Sequence, residues 1–214
     1  MTKNTIENIT EAPDTELARA ATELVRDTAS ELVYHHSRRV YFFGAARGRD
    51  RGLSFDPELL YVGAMFHDLG LGEAHRTSGR RFEVDGADAA RRFLQAHGVP
   101  EDSVRRVWTA IALHTTPGIP EFMEPEVALV TAGVEYDVLG IGYHDLAPEH
   151  RDAITALHPR PDFKRRILES FTEGIAPKPD TTFGNIKADV LRHFVPGFVP
   201  GDFVETVQNS AWPE

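Results

Sequence analysis

Apolar and polar residues along the first third of the chain follow the three- and four-residue spacing of amphipathic helices. The buried stripe of a first long helix comprises Leu17, Ala21, Leu24, Val25, Thr28, Leu32 and His36. A second helix is predicted to begin at Asp56-Pro57, because aspartate is a good N-cap and proline fits the first helical position. It is predicted to end at Gly70 or Gly72. This pattern places His36 on a buried face and His67-Asp68 in the last turn of the second helix.

The remaining segments also have helical periodicity and are separated by glycine and proline. The predicted helices cover residues 84–96, 101–113, 126–139, 148–157, 163–172 and 183–194, with a loop at 117–120. Because period-two alternation is nearly absent, strands are not predicted. The predicted fold class is all-α, with a single-domain helical bundle in residues 14–214 that follows an N-terminal tail in residues 1–13.

The composition limits the classes of function and of metal site. A chain of 214 residues with 41% hydrophobic residues is long enough for one well-buried core. A net charge of −10 argues against a general nucleic-acid-binding protein, which needs a basic face for the phosphates. The absence of cysteine excludes disulfides and thiolate zinc sites, so a metal would need histidine and carboxylate ligands. With no membrane-spanning stretch and no signal peptide in the sequence, we expect a cytoplasmic protein.

The dipeptide His67-Asp68 is the most informative candidate for chemistry. It closes the apolar run 59–66, where a charged and an ionisable side chain need a partner. A metal ion binds an imidazole nitrogen and a carboxylate oxygen together and offsets the cost of burying the charge. His36 and Asp137 also fall on apolar helical segments. Taken singly, a buried histidine is more often a hydrogen-bonded core residue than a ligand, and Asp137 alone fits a buried hydrogen-bonding carboxylate. The combination of four such groups favours a metal site.

The order His36, His67-Asp68, Asp137 in a helical chain resembles the HD superfamily of metal-dependent hydrolases. Longer segments, between about Leu32 and Trp212, are similar to the HD-type cyanamide hydratases. They are residues 36–41, 56–61, 65–70, 81–87, 111–119 and 178–185, of which His114-Thr115-Thr116-Pro117-Gly118-Ile119 and Thr181-Thr182-Phe183-Gly184-Asn185 are the most particular. The resemblance implies an HD-type helical fold and a metal ion held by His36, His67, Asp68 and Asp137. It also implies hydration of a small nitrile, cyanamide to urea, by a water that the metal activates.

The chain departs from those superfamily members that hold two metal ions. Such members have a further histidine four residues before the position of Gly86, where this chain has Phe82, and a His-His pair where it has His114-Thr115. The resemblance therefore implies one divalent ion, with Zn²⁺ favoured and Fe²⁺ or Mn²⁺ as the alternatives. His114 is then the predicted proton donor, Thr115 a polar positioning group and Asp68 a proton shuttle as well as a ligand. The alternative for His114 is a helix-terminal histidine hydrogen-bonded to a carbonyl.

Two other functions stay open at this point. One is a phosphohydrolase acting on a nucleotide or another phosphate monoester, with Arg39, Arg76 or Arg81 holding the phosphate. The missing second-metal histidines count against it, although superfamily members with one metal include nucleotidases. The other is a non-catalytic regulatory HD domain that binds a ligand or a protein partner.

For an enzyme we expect a small-molecule substrate and neither nucleic acid nor a membrane as partner, and the sequence is compatible with a homo-oligomer. Glu83 and Asp85 either orient a ligand histidine or are acids favoured at a helix start.

Overall fold

The computed structural model describes residues 10–212, and this part of the chain consists of helices and turns without a β-strand. The α-helices are α1 Glu16–Thr28, α2 Glu31–Asp50, α3 Pro57–Phe66, α4 Phe82–Ala96, α5 Glu101–Leu113, α6 Pro125–Val134, α7 Pro148–Leu157, α8 Phe163–Ile175, α9 Lys187–Phe194 and α10 Phe203–Gln208. The all-α prediction is confirmed. Within residues 10–212, no helix combines the length and apolarity needed to cross a bilayer. Residues 1–9 of the predicted tail lie outside the described residues, and the domain boundary at residue 14 stays a prediction.

The first long helix is two helices, which corrects the prediction of one continuous element. Ala29 is extended, with φ −101° and ψ 161°, and α1 ends before it. The Ser30 hydroxyl accepts a hydrogen bond from the backbone N–H of Val33 at 3.3 Å and caps a new helix. Serine is a strong N-cap because its oxygen pairs with a backbone donor that the first helical turn leaves free. The three- and four-residue spacing continues across the break, so periodicity alone does not reveal the break, but Thr28 of the predicted buried stripe is exposed.

Helix α3 begins where the sequence predicts and ends earlier. The Asp56 carboxylate accepts hydrogen bonds from the N–H groups of Glu58 and Leu59, at 2.9 and 3.1 Å. The helix ends at Phe66 and is followed by a turn and a 3₁₀ segment, Leu69–Leu71. At Gly70 the chain passes so close to α4 that a Cβ atom would lie 1.9 Å from the carbonyl oxygen of Phe82. His67 and Asp68 therefore lie just beyond the helix.

The other predicted helices are present, two of them with the predicted bounds and the rest with shifted ends. Helix α5 matches its predicted bounds and α7 spans the predicted range, whereas α8 continues to Ile175. Helix α6 continues as a single π-helical segment, Glu135–Leu139, and stops at Gly140, whose φ of 71° favours glycine. Helix α9 begins at Lys187, four residues after its predicted start, because Gly184 has a φ of 67° and the Asn185 side chain accepts a hydrogen bond from the Lys187 backbone N–H at 3.1 Å. The sequence analysis did not predict α10.

The core lies between α2, α3, α5 and α6, and α3 is buried on all sides. Two glycines let α2 and α6 pack backbone against backbone. A Cβ atom on Gly44 would lie 2.5 Å from the Leu129 carbonyl oxygen, and one on Gly133 would lie 2.2 Å from the Val40 carbonyl oxygen. This close packing brings the α2 face that carries His36 next to the π-helical segment that carries Asp137.

Candidate metal centre

Three helices bring four ionisable side chains to one buried point. His36 lies on α2, His67 and Asp68 directly follow α3, and His114 directly follows α5. All four are almost completely removed from solvent, with 0–3% of their surface exposed. Ionisable groups at such depth are costly unless each finds a partner.

Each of the three imidazoles is held by its Nδ1 atom. The Nδ1 of His67 lies 2.7 Å from the Ala64 carbonyl oxygen, and that of His114 lies 2.6 Å from the Ile111 carbonyl oxygen. Both carbonyls belong to the last turn of a helix, where they have no partner within the helix. The Nδ1 of His36 lies 2.7 Å from the Asp137 carboxylate. Since these acceptors require a proton on Nδ1, the neutral form of each ring presents a free lone pair at Nε2.

The three Nε2 atoms face the Asp68 carboxylate. The Nε2 atoms of His36 and His67 are 3.2 Å apart, and the Oδ2 of Asp68 is 3.2 Å from the second and 3.6 Å from the first. The Nε2 of His114 is 3.5 Å from Oδ1 of Asp68. Both Asp68 oxygens and the His114 Nε2 are buried without a hydrogen-bond partner. Lone pairs that converge without a donor between them fit a cation, and His36, His67 and Asp68 each bring a ligand atom within 4.8 Å of the others. This group can hold a metal ion.

The electrostatics keep Asp68 ionised. Burial alone would raise the pKa of Asp68, but the facing imidazoles of His67, His114 and His36 outweigh it and lower the pKa well below the usual range. Burial lowers the pKa of His36 despite the adjacent Asp137. Burial alone would also lower the pKa of His67, but the adjacent Asp68 carboxylate outweighs this effect and raises the pKa of His67. The site therefore presents one fixed negative charge among imidazole nitrogens.

Asp137, the fourth predicted ligand, is separated from this group by the imidazole ring of His36. Its carboxylate contacts the Nδ1 side of His36 and accepts two hydrogen bonds of 2.9 Å from Arg39, through Nε and Nη2. The Nε of Arg160 lies 3.1 Å from the same carboxylate. In this arrangement Asp137 orients His36 and is itself neutralised by two arginines. Its role as a direct ligand stays a prediction.

The positions where two-metal members carry further histidines have other contacts here. The Phe82 ring packs against His114, with centroids 5.6 Å apart at 68°. The hydroxyl of Thr115 donates to the Glu83 carboxylate instead of facing Asp68. Of the two acids left open in the sequence analysis, Glu83 thus binds the residue next to His114, whereas Asp85 binds Lys178 at 2.9 Å.

Sequence reasoning missed the buried basic residues that support the site. The sequence suggests Arg39 only as a phosphate-binding group, whereas in the structure Arg39 is fully buried and paired with Asp137. Lys187 was not considered at all and is also fully buried. The one available signal was position, because Arg39 follows His36 by three residues and so falls near the same helical face.

One comparison bears directly on this geometry. The family model of the HD domain matches residues 33–156, more than half of the chain, and this range includes His36, His67, Asp68, His114 and Asp137. The chain belongs to the HD domain family. Members of this family are in general metal-dependent hydrolases, phosphohydrolases among them, which agrees with a histidine and aspartate cluster that can hold a metal ion. No curated protein matches the chain.

Proposed function

We propose that this HD-domain protein is a metal-dependent hydratase that adds water to a small nitrile, with cyanamide as substrate and urea as product. The substrate class comes from the segments that resemble cyanamide hydratases, Thr181 to Asn185 among them. The structural observation that carries the proposal is the surroundings of His114. Phe82 and Thr115 occupy the places of second-metal ligands, and the Nε2 of His114 stays without a hydrogen-bond partner beside Asp68.

In the proposal, His36, His67 and Asp68 hold one divalent ion, preferably Zn²⁺, with Asp137 either orienting His36 or completing the ligand set. The bound ion supplies Lewis acidity and lowers the pKa of water toward about 7. Addition of water forms one C–O bond and breaks one C–N π bond, and no group leaves. The chain must remove a proton from water and deliver one to the nitrile nitrogen; the second water proton then moves from oxygen to that nitrogen as the isourea becomes urea.

His114 suits that proton transfer. Its Nδ1 is fixed on the Ile111 carbonyl, so only Nε2 is free to exchange a proton with the substrate. The Oδ1 of Asp68 lies 3.5 Å from this atom and can pass the proton taken from water on to it. Thr115 acts indirectly, because its hydroxyl is bound to Glu83 and fixes the backbone next to His114.

A small cavity borders the site at Asp68. It measures about 200 Å³ and is otherwise lined by the α1–α2 turn, by residues between Leu69 and Arg76 and by α8. Pockets for drug-sized ligands span about 300–1,000 Å³. A cavity below that range favours a substrate of a few heavy atoms, and its size then supplies most of the specificity.

The charges near the site do not favour a phosphate dianion. Each arginine considered as a phosphate-binding group faces a carboxylate of its own chain: Arg39 faces Asp137, Arg76 lies 3.5 Å from Glu173 and Arg81 lies 2.9 Å from Glu83. A dianion in a buried site needs free positive charge to replace its hydration. Phosphomonoesters are therefore expected to be poor substrates.

The deciding experiment is a turnover screen of protein loaded with Zn²⁺, Fe²⁺ or Mn²⁺ in separate samples. Urea formation from cyanamide is measured beside phosphate release from nucleoside monophosphates, with His67→Ala as the metal-free control. We expect urea from cyanamide without any nucleotide or redox cofactor. Phosphate release without urea would replace the hydratase by a phosphohydrolase. Metal binding without either activity would favour a regulatory domain.

A further inference from the structure

Two lysines of the C-terminal segment are buried against the first turn of α4. Lys178 and Lys187 both lie beyond the residues that match the HD family. The Nζ of Lys178 is 2.9 Å from Asp85, and the Nζ of Lys187 is 2.5 Å from Glu83. Lysine is almost never fully buried unless it is paired. Both pairs fasten the segment that follows α8 to the core of the domain.

Only one of the two pairs reaches the candidate metal centre. The Glu83 oxygen that binds Lys187 also accepts the hydroxyl of Thr115, the residue after His114. The adjacent Phe82 ring lies 5.3 Å from the Lys187 Nζ on one side and packs against His114 on the other. By contrast, Lys178 binds Asp85, Ser78 and the His75 carbonyl, and the Asp85 carboxylate is otherwise bound by Ser78 and Arg80 and not by His114 or Thr115.

The position of His114 depends on such a support because α5 ends there. A residue beyond a helix end is held by fewer backbone hydrogen bonds than one inside it, and the His114 N–H keeps one long bond, 3.5 Å, to the Ile111 carbonyl oxygen. Here the Thr115 side chain supplies a replacement, and its acceptor is a carboxylate, which makes the bond charge-assisted and stronger than a neutral one. We propose that Lys187 and Glu83 are positioning residues for His114, which they hold through Thr115 and Phe82. The expected effect of these residues on turnover rests on the proposed function, whereas their effect on the position of His114 does not.

The charge state of Glu83 fits this role. Burial alone would raise the pKa of Glu83, but the hydrogen bond from Arg81 and the charge of Lys187 lower the pKa to about 2. The Arg81 side chain is 36% exposed whereas that of Lys187 is fully buried, so Lys187 is the partner that remains shielded from solvent and salt. Without Lys187, the acceptor of the Thr115 hydroxyl loses its buried counter-charge.

The test compares Lys187→Met with the matched control Lys178→Met. Each variant removes one buried lysine of the same segment. We expect Lys187→Met to retain its metal and its KM while kcat falls by about 10²-fold, the usual effect of a small misplacement of a catalytic group. Lys178→Met should keep the wild-type kcat. An equal effect of both variants on kcat would overturn the proposal, because a merely structural role predicts that result.

A second readout does not depend on cyanamide turnover. Long-range ¹H–¹⁵N spectra of the zinc-loaded protein report the environment of the His114 imidazole, and its signals should shift in Lys187→Met and stay in place in Lys178→Met. Thr115→Val removes the same link without leaving a buried charge, and it should reproduce the shift if Lys187→Met does not fold. Unshifted His114 signals in Thr115→Val would overturn the positioning role. If the wild type forms no urea, the proposed function fails, and these spectra still decide the positioning role.

Discussion

Replacing Arg39 by methionine tests how much the buried pair with Asp137 contributes to the stability of the fold. Arg39 is fully buried, and besides Asp137 it donates to the carbonyl oxygens of His158 and Pro159, at 3.1 and 3.0 Å. Methionine has a stem of similar length and fills much of the same volume without donating a hydrogen bond. The change therefore removes the charge and the donors while it leaves most of the packing in place.

The expected loss follows from what remains around Asp137. Arg160, whose side chain is 32% exposed, becomes the one arginine at a carboxylate that is 1% exposed. Breaking a buried ion pair by removing one partner costs about 3–5 kcal/mol. Domains are stable by about 5–15 kcal/mol in total. For a chain of this size the melting temperature falls by about 2–4 °C per kcal/mol, so Arg39→Met should melt about 6–20 °C below the wild type.

The assay is urea unfolding and calorimetry of the metal-free protein. The matched control is Arg47→Met on the same helix, whose partner Asp145 is 61% exposed. The Arg47 side chain is 12% exposed, but its partner carboxylate stays hydrated when the pair is broken, so this variant should lose at most about 1 kcal/mol. The double variant Arg39→Met with Asp137→Asn should lose less than the sum of the single variants, because it leaves no unpaired charge. A loss below about 1 kcal/mol for Arg39→Met, or strict additivity, would refute the reasoning.

Four further predictions concern the site and its surroundings. Elemental analysis should give one metal ion per chain in the wild type and none in His67→Ala. Asp137→Asn should keep its ion if Asp137 only orients His36, and loss of the ion in this variant would make Asp137 a ligand. His114→Ala should keep its ion and lose about 10²–10⁴-fold in kcat, and an unchanged rate would make it a structural residue. Gly70→Ala should lower the free energy of unfolding by about 1–3 kcal/mol or more in urea titrations, since its Cβ would overlap the chain of α4; wild-type stability would contradict that contact. Burial beside arginines lowers the pKa of His158 to about 3. The unfolded chain therefore binds the extra proton between about pH 6.5 and 3, and stability falls with decreasing pH by up to about 1.4 kcal/mol per unit. His158→Phe should flatten this slope in urea titrations at pH 7 and 5, and an identical slope would contradict the assignment.

Much of the fold is predictable because it rests on local sequence signals. The N-cap at Asp56 and the apolar run after it predict the start of α3, and periodicity predicts α5 and α7. The break at Ser30 is not predictable from periodicity, since the three- and four-residue spacing continues in phase through α1 and α2. The late start of α9 is also local. Gly184 has a left-handed backbone with φ 67°, and the Asn185 side chain accepts a hydrogen bond from the Lys187 N–H, so the helix begins only after them.

The candidate site also has one part that is predictable from the sequence and one part that is not. The sequence predicts that His36, His67 and Asp68 meet, because each lies on or beside an apolar helical stripe and together they resemble a known ligand order. The two buried cations could not be predicted, because Arg39 and Lys187 find their carboxylates 98 and 104 residues away along the chain. Sequence alone assigns a lone arginine or lysine to the surface, and long-range packing decides otherwise.

The contact between Gly44 and Gly133 has a consequence for comparing sequences. These residues carry no chemistry, yet they set the separation of the two helices from which His36 and Asp137 project, eight and four positions away. The His36 and Asp137 side chains meet in a hydrogen bond of 2.7 Å, which tolerates only a few tenths of an ångström, whereas a methyl group at either glycine would displace a helix by more than that. A homologue that keeps the histidines and aspartates but has larger residues at both glycines would lose the Asp137 contact that orients His36. The pair of glycines is therefore a criterion for transferring this site between sequences, alongside the ligands themselves.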